Sequence, residues 1–281
     1  MISIIIPVLN EENAIAETIK ACQKVIYAIG DSNSEIIVVD DASNDKTNDN
    51  ASQTGVTIIR HLKNEGYGKS LKDGIIASKN DTIEITDADG TYPVETIPKL
   101  LKVFKEGKDM VVGARQWKSH KEFFFKKSSR KILHSMVEYS TGKKVGDVNS
   151  GMRIFSKKTV LPILSELCDT FSFTTSLTLA YMMTGKSVVY MPVEYKKRIG
   201  KTKVRPFRDS LITLKYVFKA LNKYNPIKLL QLFLILMILI GLVAMGISLI
   251  WLSEIILWAS VCCAIFSMIA WVFVVFLLKR K

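Results

Sequence analysis

Thr82–Ile83–Glu84–Ile85–Thr86–Asp87–Ala88–Asp89 is a short β-rich run that ends on two carboxylates one residue apart. Four more such runs lie nearby: ISIII at 2–6, EIIVV at 35–39, VTII at 56–59 and DMVVG at 109–113. Between them, about 12–28, 45–53, 67–79 and 94–106 carry apolar residues at helical spacing. Strands alternating with helices predict an α/β domain with a mainly parallel sheet covered on both faces. Such sheets bind ligands beyond the carboxyl ends of their strands, and here polar residues gather at those ends. The first run leads into Pro7–Val8–Leu9–Asn10–Glu11–Glu12, the second into Asp40–Asp41, the fourth into Asp87–Ala88–Asp89 and the fifth into Gly113–Ala114–Arg115. Three acid-bearing strand ends along one edge repel one another unless a cation or a cationic ligand joins them.

The phosphate-binding patterns that could follow such strands narrow the chemistry. PVLNEE after the first run is not the G-x-G-x-x-G of a dinucleotide fold. Gly68–Lys69–Ser70 matches the end of a P-loop, but position 63 is Lys and no strand leads directly into it. Asp-x-Asp at a strand end suits another task. Two hard oxygen donors hold Mg²⁺ or Mn²⁺, substrate phosphates complete the shell, and the cation neutralises a diphosphate leaving group.

Charge and hydropathy divide the 281 residues unevenly. Residues 1–115 carry 13 Lys/Arg against 18 Asp/Glu, residues 116–228 carry 23 against 7, and the remainder only 3 against 1. This excludes disordered, collagenous and small disulfide-rich classes. Residues 229–252 and 255–278 contain no charge and are separated only by Ser253 and Glu254. Each run reaches roughly 36 Å as a helix against a hydrocarbon core of about 30 Å, which predicts a two-helix transmembrane hairpin. Lys219, Lys223 and Lys228 precede it and Lys279–Arg280–Lys281 follow, so residues 1–228 and the C-terminus are expected on the cytoplasmic side. MISIIIPVLNEE lacks a basic start and does not read as a signal peptide. Cys22, Cys168, Cys262 and Cys263 have no metal-ligand spacing and read as reduced, structural thiols.

PVLNEE, VVDDAS, DADGTYP, GAR, DVNSGMRIF and KRIGKTK, in this order, resemble the inverting GT-A glycosyltransferases of family 2. The resemblance runs from residue 1 to about 210, and is greatest to the branch that loads a sugar onto a polyprenyl phosphate. That branch holds the dolichol-phosphate mannose and glucose synthases and bactoprenol glucosyltransferase. It implies a Rossmann-like GT-A catalytic domain over residues 1–205, a juxtamembrane amphipathic helix over 206–228, and the two spans. It also implies a function: transfer of one sugar from a UDP- or GDP-hexose to dolichyl or undecaprenyl phosphate on the cytoplasmic leaflet. The metal would be Mg²⁺ or Mn²⁺, and the assembly a tetramer.

By the same resemblance, Pro7, Leu9, Glu11, Val39 and Asp41 line the base and ribose pocket. Asp87, Ala88 and Asp89 contact the ribose, diphosphate and metal, with Asp87 and Asp89 as metal ligands and Asp89 the more direct. Arg115, Arg198 and Lys203 meet phosphates, and Asp147 stands on the acceptor side. Relatives often carry an aromatic residue in place of Leu9 and Gln in place of Thr91.

The residue types agree with this chemistry. A polyprenyl phosphate is already an anion near neutral pH, so the site needs cations more than a general base. His61, His120 and His134 fall in no motif and read as structural or solvated, and Asp147 as an acid that orients the acceptor or a basic side chain. Phe123–Phe124–Phe125 followed by Ile132, Leu133, Met136 and Val137 reads as an interfacial helix, as do Phe207, Leu211, Leu214, Phe218 and Leu221 with basic residues between them. A lipid surface therefore accounts for the basic middle better than nucleic acid does. Two alternatives share the core. A processive polysaccharide synthase would resemble Q-x-x-R-W and carry more spans, whereas this chain has Arg115–Gln116–Trp117 and two. A non-catalytic membrane scaffold is opposed by the intact Asp87, Asp89 and Arg115.

Overall fold

The computed structural model describes residues 1–116, 124–196, 198, 203, 206–251, 258, 261–262, 265 and 268–269, with side chains of 124–132, 206–207 and 247–251 left aside. It divides into two units, Met1–Val217 and Phe218–Lys281.

The first unit is built on a seven-stranded sheet. Its strands are β1 (Ser3–Val8), β2 (Glu35–Asp40), β3 (Thr57–Arg60), β4 (Thr82–Ile85), β5 (Met110–Gln116), β6 (Arg153–Ser156) and β7 (Val188–Glu194). They lie in the order β3-β2-β1-β4-β6-β5-β7. β1 pairs in parallel with β2 and β4, and β5 with β7, whereas β6 runs antiparallel to both β4 and β5. The sheet is therefore mainly parallel, as the alternation predicts, with β6 as its antiparallel member. β6 carries no local strand signal, because it is four residues long and opens on a charge, Arg153, where a buried strand ordinarily starts apolar.

Every residue of β1 is buried, as a strand covered on both faces requires. On one face Ile4, Ile6 and Val8 pack with Ile15, Ile19, Cys22 and Val25 of α1 (Ile15–Ile29) and with Ile97 and Leu100 of α4 (Ile97–Lys105). The α1 residues repeat at i, i+4, i+7 and i+10, one helical stripe, and each fully buried Ile contributes roughly 1.5–3 kcal/mol. The other helices of this unit are α2 (Thr47–Ser52), α3 (Tyr67–Ala77), α5 (Phe124–Thr141), the single turn α6 (Lys157–Val160) and α7 (Phe173–Met183), which is almost entirely buried.

Helix α8 (Pro206–Tyr224) buries Thr213 and Val217 and exposes Leu211 and Phe218. Helix α9 (Pro226–Trp251) follows. Its stretch Pro226–Gly246 is, among the described residues, the one helix long and apolar enough to cross a membrane. Phe233, Leu236, Leu239 and Val243 stand exposed on it. Most of the second expected span, 255–278, lies outside the described residues, as do His120 and Phe123.

Candidate active site

The order β2-β1-β4 sets three acid-bearing strand ends side by side. The loops after β1 and β2 are tied together. Asn10 N and Glu11 N donate to Ser43 Oγ at 2.9 Å and Thr47 Oγ1 at 2.8 Å, and in return Asn44 N and Lys46 N donate to Asn10 Oδ1 at 2.8 Å and Glu12 Oε2 at 3.1 Å. Asn10 and Ala42 adopt positive φ of 49° and 62°, a strained conformation that this mutual tie sustains.

The acids of these loops divide their work. Asp40 is fully buried and accepts from Ser43 N at 2.9 Å. Asp41 accepts from Glu65 N at 2.7 Å, Gly66 N at 2.9 Å and His61 Nδ1 at 2.8 Å, so its carboxylate anchors the start of α3. The other ring nitrogen of His61 lies 3.1 Å from Asp73. Pro7 and Val39 are register partners on β1 and β2, and both are buried. Glu11 Oε1 lies 2.6 Å from both Arg198 Nη2 and Lys203 Nζ, and the Lys203 ammonium also donates to the carbonyls of Leu9 and Asn10. The structure thus brings Leu9, Glu11, Arg198 and Lys203 together at the end of β1.

The turn after β4 is held from three sides. Thr18 Oγ1 on α1 donates to Ala88 O at 3.1 Å, and Thr91 donates to Asp89 Oδ1 through its amide at 3.1 Å and its hydroxyl at 2.6 Å. Arg198 Nε approaches Asp89 Oδ2 at 3.4 Å. Burial opposes the charge, but the nearby charge of Asp89, the hydrogen bond from Arg198 to Glu11 and the Glu11 charge outweigh it and hold the Arg198 guanidinium above its usual range. Tyr67 Oη donates to Asp87 Oδ1 at 2.9 Å. Burial first, and the charge of Asp89 second, push the Asp87 carboxyl up to about 6.

This donor set fits a hard divalent cation. Asp87 and Asp89 present two carboxylates of like charge, hard oxygen donors whose repulsion a cation would remove. Among the described residues no third His, Cys, Asp or Glu joins them, so phosphate oxygens and water would supply the rest of the shell.

On the far side of β4, Arg115, next to last in β5, meets Asp147 with two bonds, Nε to Oδ2 at 2.5 Å and Nη2 to Oδ1 at 2.8 Å. The Arg115 guanidinium also lies 5.4 Å from the ring centre of Tyr195. Burial opposes both charges, yet the pairing outweighs it: the Asp147 carboxyl is held below the usual carboxylate range and the Arg115 guanidinium above its own. The pair lines a cleft of about 230 Å³ together with Leu133, His134, Val137 and Asn149. His134 Nε2 lies 3.1 Å from Gly146 O.

Three participants escape a sequence reading. Tyr67 lies between two glycines in the stretch set aside as an incomplete P-loop. Arg153 is fully buried and binds the carbonyls of Ser150, Val148 and Thr174, which fixes the loop that carries Asp147. Gly151 rests against Asp87, where a Cβ would come 2.7 Å from Oδ1. The run DVNSGMR was the available signal for the last two.

Residues 3–161 match the family described as Glycosyl transferase family 2. The chain belongs to glycosyl transferase family 2. This family 2 glycosyltransferase is 26% identical over 220 residues to a dolichyl-phosphate hexose transferase of Haloferax volcanii, covering 78% of this chain and 93% of that one. It is 27% identical over 239 residues to an undecaprenyl-phosphate 4-deoxy-4-formamido-L-arabinose transferase of an Enterobacter species, covering 83% and 70%. Among solved structures, glucosyl-3-phosphoglycerate synthase from Mycobacterium tuberculosis, in complex with Mn²⁺, UDP and phosphoglyceric acid, superposes with a TM-score of 0.62 over 78% of each chain at 18% identity. The same synthase with Mg²⁺ and UDP gives 0.61. The likeness establishes the GT-A fold of the glycosyltransferase.

Proposed function

We propose that this glycosyltransferase moves a single sugar, with inversion, from a UDP- or GDP-hexose to a polyprenyl phosphate at the cytoplasmic leaflet. One observation carries the reading. The Arg115–Asp147 pair borders a cleft with apolar Leu133 and Val137 in its lining, a combination suited to a phosphate attached to a hydrocarbon chain. The relatives named for dolichyl and undecaprenyl phosphates support it.

In this reading an acceptor phosphate oxygen forms the bond to the anomeric carbon as the bond from that carbon to the diphosphate breaks, and the nucleoside diphosphate departs. The acceptor is already ionised, so no side chain need take a proton from it. Asp147 holds the Arg115 guanidinium in place, and Arg115 steadies the acceptor phosphate by a charge-assisted contact. Arg198 and Lys203, held beside Glu11, meet the phosphates chiefly as charge builds on the departing diphosphate. Pro7, Leu9, Glu11, Val39 and Asp41 border the base and ribose, with Ala88 beside them. Asp87 and Asp89 would hold Mg²⁺ or Mn²⁺, which when bound neutralises the diphosphate as it leaves.

The catalytic domain spans residues 1–205, an amphipathic helix follows over 206–228, and the spans 229–252 and 255–278 form an anchoring hairpin in a tetrameric assembly. The apolar exposure of α9 supports the first span. The test uses the full chain in detergent with radiolabelled UDP- and GDP-hexoses. Label should enter the organic phase only when polyprenyl phosphate is added; label that enters without it contradicts the reading.

A further inference from the structure

The Asp87 carboxylate is confined on two sides. On one side Tyr67 Oη donates to Oδ1 at 2.9 Å. On the other lies Gly151, where a Cβ would come 2.7 and 2.8 Å from the two carboxylate oxygens; Gly151 N in turn donates to Tyr92 Oη at 2.8 Å. A carboxylate has two rotatable bonds, and a donor fixed against one oxygen selects one orientation of both.

Tyr67 is itself well fixed. Its ring stacks on Phe171 with centroids 5.4 Å apart and planes 20° from parallel. It opens α3, whose first turn is seated on the 167–170 segment. A Cβ on Gly66 would lie 2.5 Å from Asp169 O and one on Gly68 2.1 Å from Cys168 O, so only glycine permits this approach. Lys69 N donates to Asp169 O at 3.0 Å, and Lys72 Nζ binds Leu167 O at 2.7 Å and Asp169 Oδ1 at 2.6 Å.

We infer that Tyr67 is a positioning residue for the divalent cation: its hydroxyl, braced through the ring by Phe171, orients the Asp87 carboxylate that binds the metal. The inference rests on the reading of Asp87 and Asp89 as metal ligands. Partners that orient a metal's ligands typically alter affinity by about 10–100-fold when removed.

The test titrates Mn²⁺ alone into the full chain in detergent and follows the free ion by its paramagnetic resonance signal. Tyr67→Phe deletes one oxygen and keeps the ring on Phe171. It should bind Mn²⁺ roughly 10–100-fold more weakly than wild type. Phe171→Leu keeps the hydroxyl and loosens the brace, and should give a smaller loss. Wild-type affinity in Tyr67→Phe, with binding still lost in Asp89→Asn, overturns the inference and leaves the metal reading standing. Failure of the wild type to bind Mn²⁺ overturns both. If Tyr67→Phe does not fold, unchanged affinity in Phe171→Leu is the contrary result.

Discussion

Arg115 and Asp147 face each other with both polar edges engaged, Nε to Oδ2 at 2.5 Å and Nη2 to Oδ1 at 2.8 Å, across 32 positions of sequence. The amide of Arg115 adds a third contact to Oδ2 at 3.3 Å. The pair joins the end of β5 to the loop that Arg153 holds from beneath. A carboxylate gripped in this way, with its protonation held below the usual range, is a holder of a cation and a poor proton acceptor.

Arg115→Ala leaves Asp147 charged and mostly buried without that partner, and should cost roughly 3 kcal/mol of stability. Sugar transfer should fall by about 100-fold or more. Arg115→Lys keeps the charge and loses the two-point grip, so it should lie between wild type and Arg115→Ala, with the KM for lipid phosphate raised more than that for the donor. Steady-state rates and thermal unfolding of the three proteins check this.

Asp89→Asn keeps the shape of the turn, including its acceptor for Thr91, and removes one charge. Turnover should drop by orders of magnitude with little change in unfolding temperature. EDTA should silence the wild type and Mn²⁺ or Mg²⁺ restore it, without rescue of the variant. Full activity in EDTA would contradict the metal assignment.

The raised Asp87 carboxyl gives a pH dependence with a definite sign. An ordinary Asp ionises near pH 3.9, whereas this one in the fold ionises at about 6. Between those values the unfolded chain has released the proton and the fold still holds it, so ionisation opposes folding as pH rises through this window. Asp87→Asn cannot ionise. In EDTA its unfolding temperature relative to wild type should climb from pH 4 to pH 6 and then level off. A constant difference would remove the like-charge account. Added Mn²⁺ should stabilise the wild type alone.

The strands that end in acids were legible because short β-rich runs alternate with helical stripes, and β1, β2, β4 and β5 carry the expected polar ends. β6 is not, because its Arg153 is satisfied by the carbonyls of Val148, Ser150 and Thr174 and by the Thr178 hydroxyl, a set that no local pattern announces. The resemblance places Asp41 at the ribose, while its bonds to the Glu65 and Gly66 amides and to His61 come from residues 20 to 25 positions away that no local spacing announces. Tyr67 was hidden for a related reason: its bond to Asp87 spans 20 positions and depends on how closely α3 meets the 167–170 segment. Long-range hydrogen bonds of this kind are set by the tertiary fold, whereas spacing reports only local periodicity.

Glu11 Oε1 pairs with both Arg198 and Lys203, each at 2.6 Å, at the end of β1. Arg198→Ala and Lys203→Ala should each slow sugar transfer by roughly 10–100-fold while nucleotide binding falls much less. Neutral detergent micelles with a short-chain acceptor remove the anionic bilayer from the comparison. Wild-type rates there would assign both cations to general headgroup attraction.

The most direct measurement is the mass of the lipid product. Purified full-length protein, Mn²⁺, the donor hexose nucleotide and polyprenyl phosphate are incubated together, and the extracted lipid is weighed by mass spectrometry. The predicted product is polyprenyl phosphate carrying one hexose and no more. A ladder of hexoses, or consumption of the donor with the lipid unchanged, would contradict the account.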